Sequence, residues 1–254
     1  MIENVLVVIP ANNEQAAIGA CLDALLAARV HARDTLGARV DVRAVVVLDS
    51  CIDATENQIT AEHDVQIIHA RLARAGAARA LGVAYARRGL DTDPDKVWIA
   101  STDADSRVPA DWITTMVRYA ERGADLALGT VRPDVAPTSS TYRQWRRRYV
   151  MSDGHPHVHG ANLGLRADVY DRIGGWPLLA CDEDVELVRR AEGHVGVRVV
   201  RTGAIPVVTS ARLIGRAPHG FAGYLRRLPQ ESRHEDARLR AVLHAGRPTL
   251  ELEG

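Results

Sequence analysis

Cysteine is scarce in this 254-residue chain, and the few cysteines argue against two kinds of site. Cys21, Cys51 and Cys181 are odd in number, and no two of them form a CxxC pair. A disulfide framework normally uses an even number of cysteines, and a zinc ribbon uses CxxC pairs. We therefore expect neither a disulfide scaffold nor a zinc ribbon.

Long apolar runs are also missing. The first run, residues 5–9, has five apolar residues and follows an acidic residue at position 3, which is unlike a signal peptide. No stretch approaches the ~20 residues that a transmembrane helix needs. These absences predict a soluble cytoplasmic protein without a transmembrane segment, and they leave peripheral contact with a membrane open.

The chain has no net charge, because 32 basic residues balance 32 acidic ones. This balance disfavours nucleic acid as a partner, since no general basic field surrounds the chain. Lys96 is the only lysine, so the other 31 basic residues (32 − 1) are arginines. A GC-rich coding sequence explains this bias, and phosphate binding by arginine is the alternative.

What the first half contains is an alternation of short apolar strands and helical patterns. Strands are predicted at residues 5–9, 42–48, 65–70, 96–100 and 124–131. Helices fill the intervals, one of them over residues 53–63 after a capping-box pattern. This alternation predicts βαβ units and a mostly parallel sheet, which binds ligands beyond the carboxyl ends of its strands. A GxGxxG turn is missing after the first strand, which disfavours an ordinary dinucleotide-binding domain.

The second half is less regular. Two more strands are predicted at residues 195–203 and 205–210, and the last ~40 residues have the pattern of a helical tail. A basic-aromatic run, residues 142–149, lies near the start of this half. No internal repeat or low-complexity linker divides the chain, so one continuous α/β domain is expected.

Polar residues follow the predicted strands. Asp103 and Asp105 come after the fourth strand, where two carboxylates can hold Mg²⁺ together with substrate phosphate oxygens. The alternative is that they only cap the helix predicted to start at Pro109. Asp49 and Asp53 follow the second strand, and the alternatives for them are a helix cap or a contact with a nucleobase or ribose.

Two clusters in the second half carry further candidates. The acidic run 182–184 either complements a helix N-terminus or supplies a carboxylate that acts as a general base. His155, His157 and His159 alternate and would share one face of an extended segment, as a zinc site requires. Pro156 and the flanking glycines favour a loop instead.

The order of the segments VVIPANNE, VVVLDSCIDAT, RAGAARALG, DADS, GANLGLRADVYDRIGGW and DEDVEL resembles family 2 of the glycosyltransferases. The resemblance covers about residues 3–195. It implies the GT-A fold, a Rossmann-like, mostly parallel central sheet flanked by helices, with a mixed acceptor-side half. It also implies one domain over residues 1–230 and a helical tail over 231–254. Within that domain, residues 1–131 would bind the nucleotide sugar and residues 132–230 the acceptor.

The resemblance implies a role for each matching residue. Donor binding falls to Pro10, Ala11, Asn12, Glu14, Asp49, Asp53, Arg79 and Asp103. The metal ligands for Mg²⁺ or Mn²⁺ would be Asp103, Asp105 and His219. Acceptor binding falls to Gly160, Ala161, Asn162 and Trp176. The catalytic pair would be Glu183 and Asp184, with Asp184 as the general base.

The function implied is that of a hexosyltransferase. It would move a sugar from a nucleoside diphosphate, UDP or GDP, to an acceptor hydroxyl with inversion, using the divalent metal. A retaining GT-A enzyme and a sugar-phosphate nucleotidyltransferase are the alternatives, although the glycine-rich loop of the latter is missing. A non-catalytic nucleotide-sugar-binding protein is a third. The sugar, the acceptor and the oligomeric state are left open.

Overall fold

The computed structural model describes residues 1–215 and 220–228. The predicted tail over 231–254 and the predicted metal ligand His219 lie outside the described residues. Contacts divide the chain into two compact units. The first comprises residues 1–134 and 150–210, and the second comprises residues 135–149 together with the part of the chain after residue 210.

The first unit contains one eight-stranded sheet. Its strands are β1 Asn4–Ala11, β2 Asp41–Asp49, β3 Gln66–Ala70, β4 Val97–Ser101, β5 Ser106–Arg107, β6 Leu126–Pro133, β7 Leu163–Arg166 and β8 Val199–Thr209. The helices are α1 Ile18–Leu36, α2 Ala75–Ala86 and α3 Trp112–Glu121, with α4 Ser140–Arg148 in the second unit, then α5 Ala167–Arg172 and α6 Glu183–Glu192. Residues 221–228 of the second unit are also helical.

The strands lie in the order β3-β2-β1-β4-β7-β6-β8-β5. The first four are mutually parallel, whereas β7 is antiparallel to both β4 and β6. β8 is parallel to β6 and antiparallel to β5. The α/β prediction, with a parallel first part and a mixed second part, is therefore confirmed.

The parallel strands are apolar because helices cover them. All eight residues of β1 are buried, as expected for a central strand with both faces packed. Helix α2 packs on β1 and β2, and Gly82 permits the close approach. A Cβ at Gly82 would lie 3.1 Å from a methyl of Val47 and 3.2 Å from one of Val8. This packing carries the first turns of α2 to the carboxyl ends of the strands.

Two local predictions are wrong. Residues 53–63 form two short 3₁₀ turns, Glu56–Gln58 and Ala61–His63, instead of a helix. The two strands predicted over 195–210 are one continuous strand, β8. Among the described residues, no helix combines the length and apolarity that crossing a bilayer requires.

Candidate active site

The carboxyl ends of the parallel strands meet at one edge of the sheet. β1 pairs in parallel with β2 on one side and with β4 on the other. The loops after these strands, residues 12–17, 50–55 and 102–105, therefore lie side by side. They carry half of the ten predicted donor and metal residues, as expected for a parallel sheet: Asn12, Glu14, Asp53, Asp103 and Asp105.

Arg79 lies at the centre of this edge, on the first half of α2, and it is 3% exposed. Its Nη2 donates to Asp103 Oδ1 (2.5 Å) and its Nη1 donates to Glu183 Oε1 (2.5 Å). Its Nε donates to the hydroxyl of Ser101 at 2.9 Å. One buried cation thus joins Asp103, in the loop after β4, to Glu183, the first residue of α6. We call Arg79, Asp103 and Glu183 the arginine clamp.

The surroundings of the clamp exclude water from the guanidinium. The Arg79 Cζ lies 4.9 Å from the centroid of the Trp176 ring, in cation–π geometry. A Cβ at Gly160 would come within 2.5 Å of Arg79 Nη2, so a glycine is needed there. Burial alone would lower the pKa of Arg79, but the charges of Asp103 and Glu183 outweigh that effect and raise it. Arg79 is therefore a cation in the clamp.

Asp184 is the acidic residue next to the clamp that Arg79 does not bind. Its Oδ2 accepts the N–H of Gly160 (2.8 Å) and its Oδ1 accepts the N–H of Val185 (2.9 Å). Burial raises the pKa of Asp184, and the nearby charge of Arg79 opposes this rise without cancelling it. Because Glu183 is held by Arg79, Asp184 is the member of the pair better suited to accept a proton.

Asp103 and Asp105 lie on the same side of the turn after β4. Both are partly exposed, and Ala104 between them is buried. Helix α3 begins at Trp112, so the alternative that these aspartates cap it is wrong. The thiol of Cys21 donates to the Asp103 carbonyl at 3.3 Å. Burial, together with the charges of both aspartates, raises the pKa of that thiol.

The chemistry of this pair suits a hard divalent cation. Arg79 engages Oδ1 of Asp103, and no described residue donates a hydrogen bond to its Oδ2. Within residues 1–215 and 220–228 no three His, Cys, Asp or Glu side chains converge as a metal site. Mg²⁺ commonly takes only one or two protein carboxylates and completes its shell with phosphate oxygens and water. The pair therefore fits a cation that arrives with a phosphorylated ligand.

Asp49 anchors the loop that leads into α2. It is buried, and its carboxylate accepts three backbone N–H bonds, from Leu72 (2.6 Å), Ala73 (3.0 Å) and Arg74 (3.2 Å). These bonds set the start of the helix that carries Arg79. Asp49 thus positions the start of α2, and its contact with a nucleotide stays a prediction.

Asp53 joins the loops that follow β1 and β2. Its Oδ1 accepts both the N–H and the hydroxyl of Thr55, and its Oδ2 accepts the N–H of Gln15 at 3.2 Å. The Thr55 hydroxyl oxygen in turn accepts the N–H of the buried Glu14 at 2.8 Å. Burial opposes the charge on Asp53, but these hydrogen bonds outweigh it and lower the pKa of the carboxyl.

The remaining donor-side residues lie at the end of β1. Pro10 and Ala11 are buried as its last residues. The side-chain amide of Asn12 donates to the carbonyls of Asp49 (2.5 Å) and Ser50 (3.3 Å). The structure thus brings the predicted donor residues together, and their contacts with base and ribose stay predictions.

Backbone conformations of higher energy concentrate at this edge. Five non-glycine residues of the described chain have φ in the left-handed region, and four of them lie here. The four are Asn13 (55°), Ser50 (58°), Ala73 (52°) and Asp182 (59°). Such conformations cost on the order of 1–3 kcal/mol each and cluster at functional sites.

The predicted acceptor residues divide into two groups. Gly160 and Trp176 contact the guanidinium of the clamp. The side chain of Asn162 instead points into the interior, where its amide donates to the carbonyls of Thr130 (2.9 Å) and Ile205 (2.7 Å). Its oxygen accepts the indole N–H of Trp112 at 2.8 Å. Asn162 therefore fixes the turn Gly160–Asn162, which also contains Ala161.

The three alternating histidines form a ladder that leads to Gly160. The ring centroids of His155 and His157 are 5.6 Å apart, and those of His157 and His159 are 6.0 Å apart. His155 Nε2 lies 3.1 Å from the carbonyl oxygen of Leu128, within hydrogen-bonding distance. Burial and the neighbouring rings lower the pKa of His157 to about 4 and that of His159 to about 3.

We expect this ladder to make the protein sensitive to acid. An unfolded histidine has a pKa of ~6.5, so below that pH the unfolded state binds more protons than the native state. Stability should therefore fall as the pH drops from about 6.5 to about 4, by up to ~1.4 kcal/mol per pH unit for each such histidine. Urea unfolding at several pH values measures this slope. The slope should be shallower in His157→Gln, and equal slopes for the two proteins would contradict the expectation.

Three positioning residues were not predicted from the sequence. Ser101 accepts the Arg79 Nε bond, the fully buried Thr55 joins Glu14 to Asp53, and Cys21 lies beneath the aspartate turn. Each is a small residue without a motif of its own. Only its place, at the end of a strand or on the buried face of α1, could have indicated it.

Comparison with known proteins finds one matching sequence family and several solved structures of similar fold. The sequence model described as glycosyl transferase family 2 matches residues 6–174. No curated protein matches the sequence with significance. A mycobacterial protein of known structure is similar with a TM-score of 0.51 and 16% identity, covering 79% of this chain and 65% of that one.

Glucosyl-3-phosphoglycerate synthase from Mycobacterium tuberculosis is similar with a TM-score of 0.51 and 16% identity, covering 89% of this chain and 77% of that one. A second structure of that synthase is in complex with Mn²⁺, UDP and glucosyl-3-phosphoglycerate. It is similar with a TM-score of 0.51 and 15% identity, covering 82% of this chain and 71% of that one. This chain thus spans between 65% and 77% of the length of these three structures. At such identities the likeness is one of fold.

Proposed function

The chain belongs to glycosyl transferase family 2 and has the GT-A fold, and from this premise we propose that it is a metal-dependent, inverting sugar transferase. The donor would be a nucleoside diphosphate sugar, and the acceptor would provide a hydroxyl group. One observation carries the proposal. The buried Arg79 holds Asp103, on the donor side, and Glu183, next to Asp184, in a single set of hydrogen bonds.

The donor would lie along the edge formed by the loops after β1, β2 and β4. We assign the base and ribose to Pro10, Ala11, Asn12, Glu14, Asp49 and Asp53. The related synthase structure contains UDP and Mn²⁺, which supports a uridine nucleotide as the first candidate. A guanosine nucleotide is the second. In the same proposal, residues 1–131 form the donor half and residues 132–230 the acceptor half.

Asp103 and Asp105 would hold Mg²⁺ or Mn²⁺ against the diphosphate. Their carboxylate oxygens are the ligands that such ions prefer. When bound, the cation neutralises the charge that develops on the leaving diphosphate. Arg79 keeps Asp103 in place from the protein side. His219 is a candidate third ligand from the sequence.

Asp184 would act as the general base. Its raised pKa increases its affinity for a proton, and its hydrogen bond from Gly160 fixes it beside the proposed acceptor segment. It would take the proton from the acceptor hydroxyl while that oxygen bonds to the anomeric carbon. The bond from this carbon to the diphosphate oxygen breaks, and the electron pair leaves with the diphosphate. A single displacement of this kind inverts the anomeric carbon, whereas the alternative, a retaining reaction, would preserve its configuration.

A thermal-shift panel tests donor binding. We expect one of UDP, GDP, dTDP and CDP to stabilise the protein, and to do so more strongly with Mn²⁺. At ~100 times the dissociation constant the gain should be about 2.7 kcal/mol. Asp105→Asn should lose the manganese-dependent part of this gain, because the variant removes one of the two carboxylates proposed to bind Mn²⁺.

Asp111→Asn is the matched control for this panel, since Asp111 is an exposed aspartate outside the site. Its manganese-dependent gain should equal that of the wild type. If no nucleotide shows such a gain in the wild type, the proposed function is wrong. Proton NMR of the anomeric product then separates inversion from retention.

A further inference from the structure

The second unit has an uneven charge composition. Its described residues are 135–149, 211–215 and 220–228. They include seven arginines and no lysine, aspartate or glutamate. The seven are Arg143, Arg146, Arg147, Arg148, Arg212, Arg226 and Arg227. The whole chain has equal numbers of basic and acidic residues, so positive charge is concentrated in this unit.

Helix α4 presents three of these arginines to solvent. The hydroxyl oxygen of Ser139 caps the helix by accepting the N–H of Tyr142 at 3.1 Å. Trp145 is buried and packs between Tyr142 and Tyr149, at centroid distances of 5.2 Å and 5.1 Å. This packing fixes the rotation of α4 about its axis. The outward side therefore carries Arg143, Arg146 and Arg147, all exposed.

The exposed arginines of α4 line one open groove, together with Pro137 and Tyr142. Arg146 and Arg147 make no hydrogen bond or ion pair with any residue in the described part of the chain. Arg143 donates to the Thr138 carbonyl, which does not neutralise its charge. Three like charges thus lie within two turns, with no counter-charge from residues 1–215 or 220–228, an arrangement that an anionic partner would stabilise.

Apolar side chains accompany the charge in the same unit. Next to Arg212, Leu213 is 50% exposed and Ile214 is 82% exposed. Residues 221–228 add Arg226 and Arg227, both exposed. A basic surface with exposed aliphatic residues fits an anionic bilayer, which offers phosphate groups and hydrocarbon together. Single-stranded nucleic acid would instead need exposed aromatic rings for stacking, whereas Trp145 and Tyr149 are buried and the half-buried Tyr142 packs on Trp145.

We propose that the arginine-rich face of α4 binds the surface of an anionic phospholipid bilayer. The interaction is electrostatic and adds a partner to the proposed transferase. It does not depend on sugar transfer. Failure of a transfer assay would therefore count against the proposed function alone, and failure of vesicle binding would count against this proposal alone.

Vesicle sedimentation with the full chain tests the proposal. We expect binding to vesicles of phosphatidylglycerol and phosphatidylcholine, and little binding to phosphatidylcholine alone. Binding should weaken as salt rises from 50 to 500 mM, because the attraction is screened. Reversal of the three charges in Arg143→Glu, Arg146→Glu, Arg147→Glu should lower binding about a hundredfold or more.

A matched triple variant controls for net charge. Arg33→Glu, Arg118→Glu, Arg122→Glu reverses three exposed arginines of the first unit and should bind vesicles as strongly as the wild type. Circular dichroism shows whether both variants are folded, and the milder Arg146→Gln, Arg147→Gln serves if the first variant is not. The proposal would be overturned if both triple variants lost vesicle binding to the same extent. It would also be overturned if the wild type bound neutral vesicles as strongly as anionic ones, or bound a single-stranded oligonucleotide more tightly than anionic vesicles.

Discussion

Asp184→Asn is expected to lower the rate of sugar transfer by about 10²–10⁴-fold, the usual contribution of a general base. Asparagine has nearly the same shape and its oxygen can still accept the Gly160 N–H bond, so the fold should be unchanged. It cannot take a proton from the acceptor. Initial rates with saturating donor, Mn²⁺ and a hydroxyl acceptor measure the loss, and the thermal shift by the donor nucleotide should stay at the wild-type value.

The pH profile gives a second readout of the same role. A base must be ionised to act, so the wild-type rate should fall as the pH drops below the raised pKa of Asp184. This acidic limb should disappear in Asp184→Asn. Asp182→Asn is the matched control, because it removes a neighbouring carboxylate in the same run, and it should keep both the rate and the limb. A wild-type rate in Asp184→Asn would assign the proton transfer to another group.

The sequence predicts those parts of the site that follow from chain order. Asp103 and Asp105 come directly after an apolar strand, and a parallel sheet collects such residues at one edge. The alternation of strands and helices therefore predicts both the α/β fold and the position of the aspartate pair. The distance of that pair from α3 also shows that it does not cap the helix.

The sequence does not predict contacts between distant residues. Arg79 and Glu183 are 104 positions apart, and no local pattern indicates that they pair. Strand β7 has only four residues, Leu163–Arg166, which is too short for a period-2 pattern to show. Its antiparallel pairing with β4 depends on the folded sheet.

The wrong helix over residues 53–63 has a local physical cause. Asp53 accepts the N–H of Thr55 at 3.0 Å, but the Glu56 carboxylate lies 2.9 Å from His69 Nε2 and does not complete the capping box. Asp53 also binds the N–H of Gln15, and the Gln15 side chain accepts the N–H of Ala54 at 3.0 Å. These bonds between loops fix the backbone in short 3₁₀ turns, so tertiary contacts override the local helix signal.

Arg79→Met is expected to cause the largest loss of stability, about 3–5 kcal/mol, because removal of one partner from a buried ion pair leaves a buried charge unpaired. The Glu183 side chain is 11% exposed, so little water can replace the lost guanidinium there, whereas Asp103, at 36%, can be solvated. Urea unfolding measures the loss. Methionine keeps most of the length of the side chain, so lost packing against Trp176 contributes little.

A second substitution separates charge from packing. If the unpaired charge is the cause, Arg79→Met, Glu183→Gln should be more stable than Arg79→Met alone, because glutamine removes the buried charge. Arg87→Met is the matched control, since Arg87 follows α2 directly and pairs with Asp171 at 2.6 Å on the surface. Its loss should stay below about 1 kcal/mol, as for other exposed ion pairs. Equal losses in Arg79→Met and Arg87→Met, or a double variant less stable than the single one, would show that the clamp does not stabilise this edge through charge. The expected order of stability has Arg79→Met lowest, the double variant next and Arg87→Met highest. It would mean that the guanidinium stabilises this edge by pairing with Asp103 and Glu183.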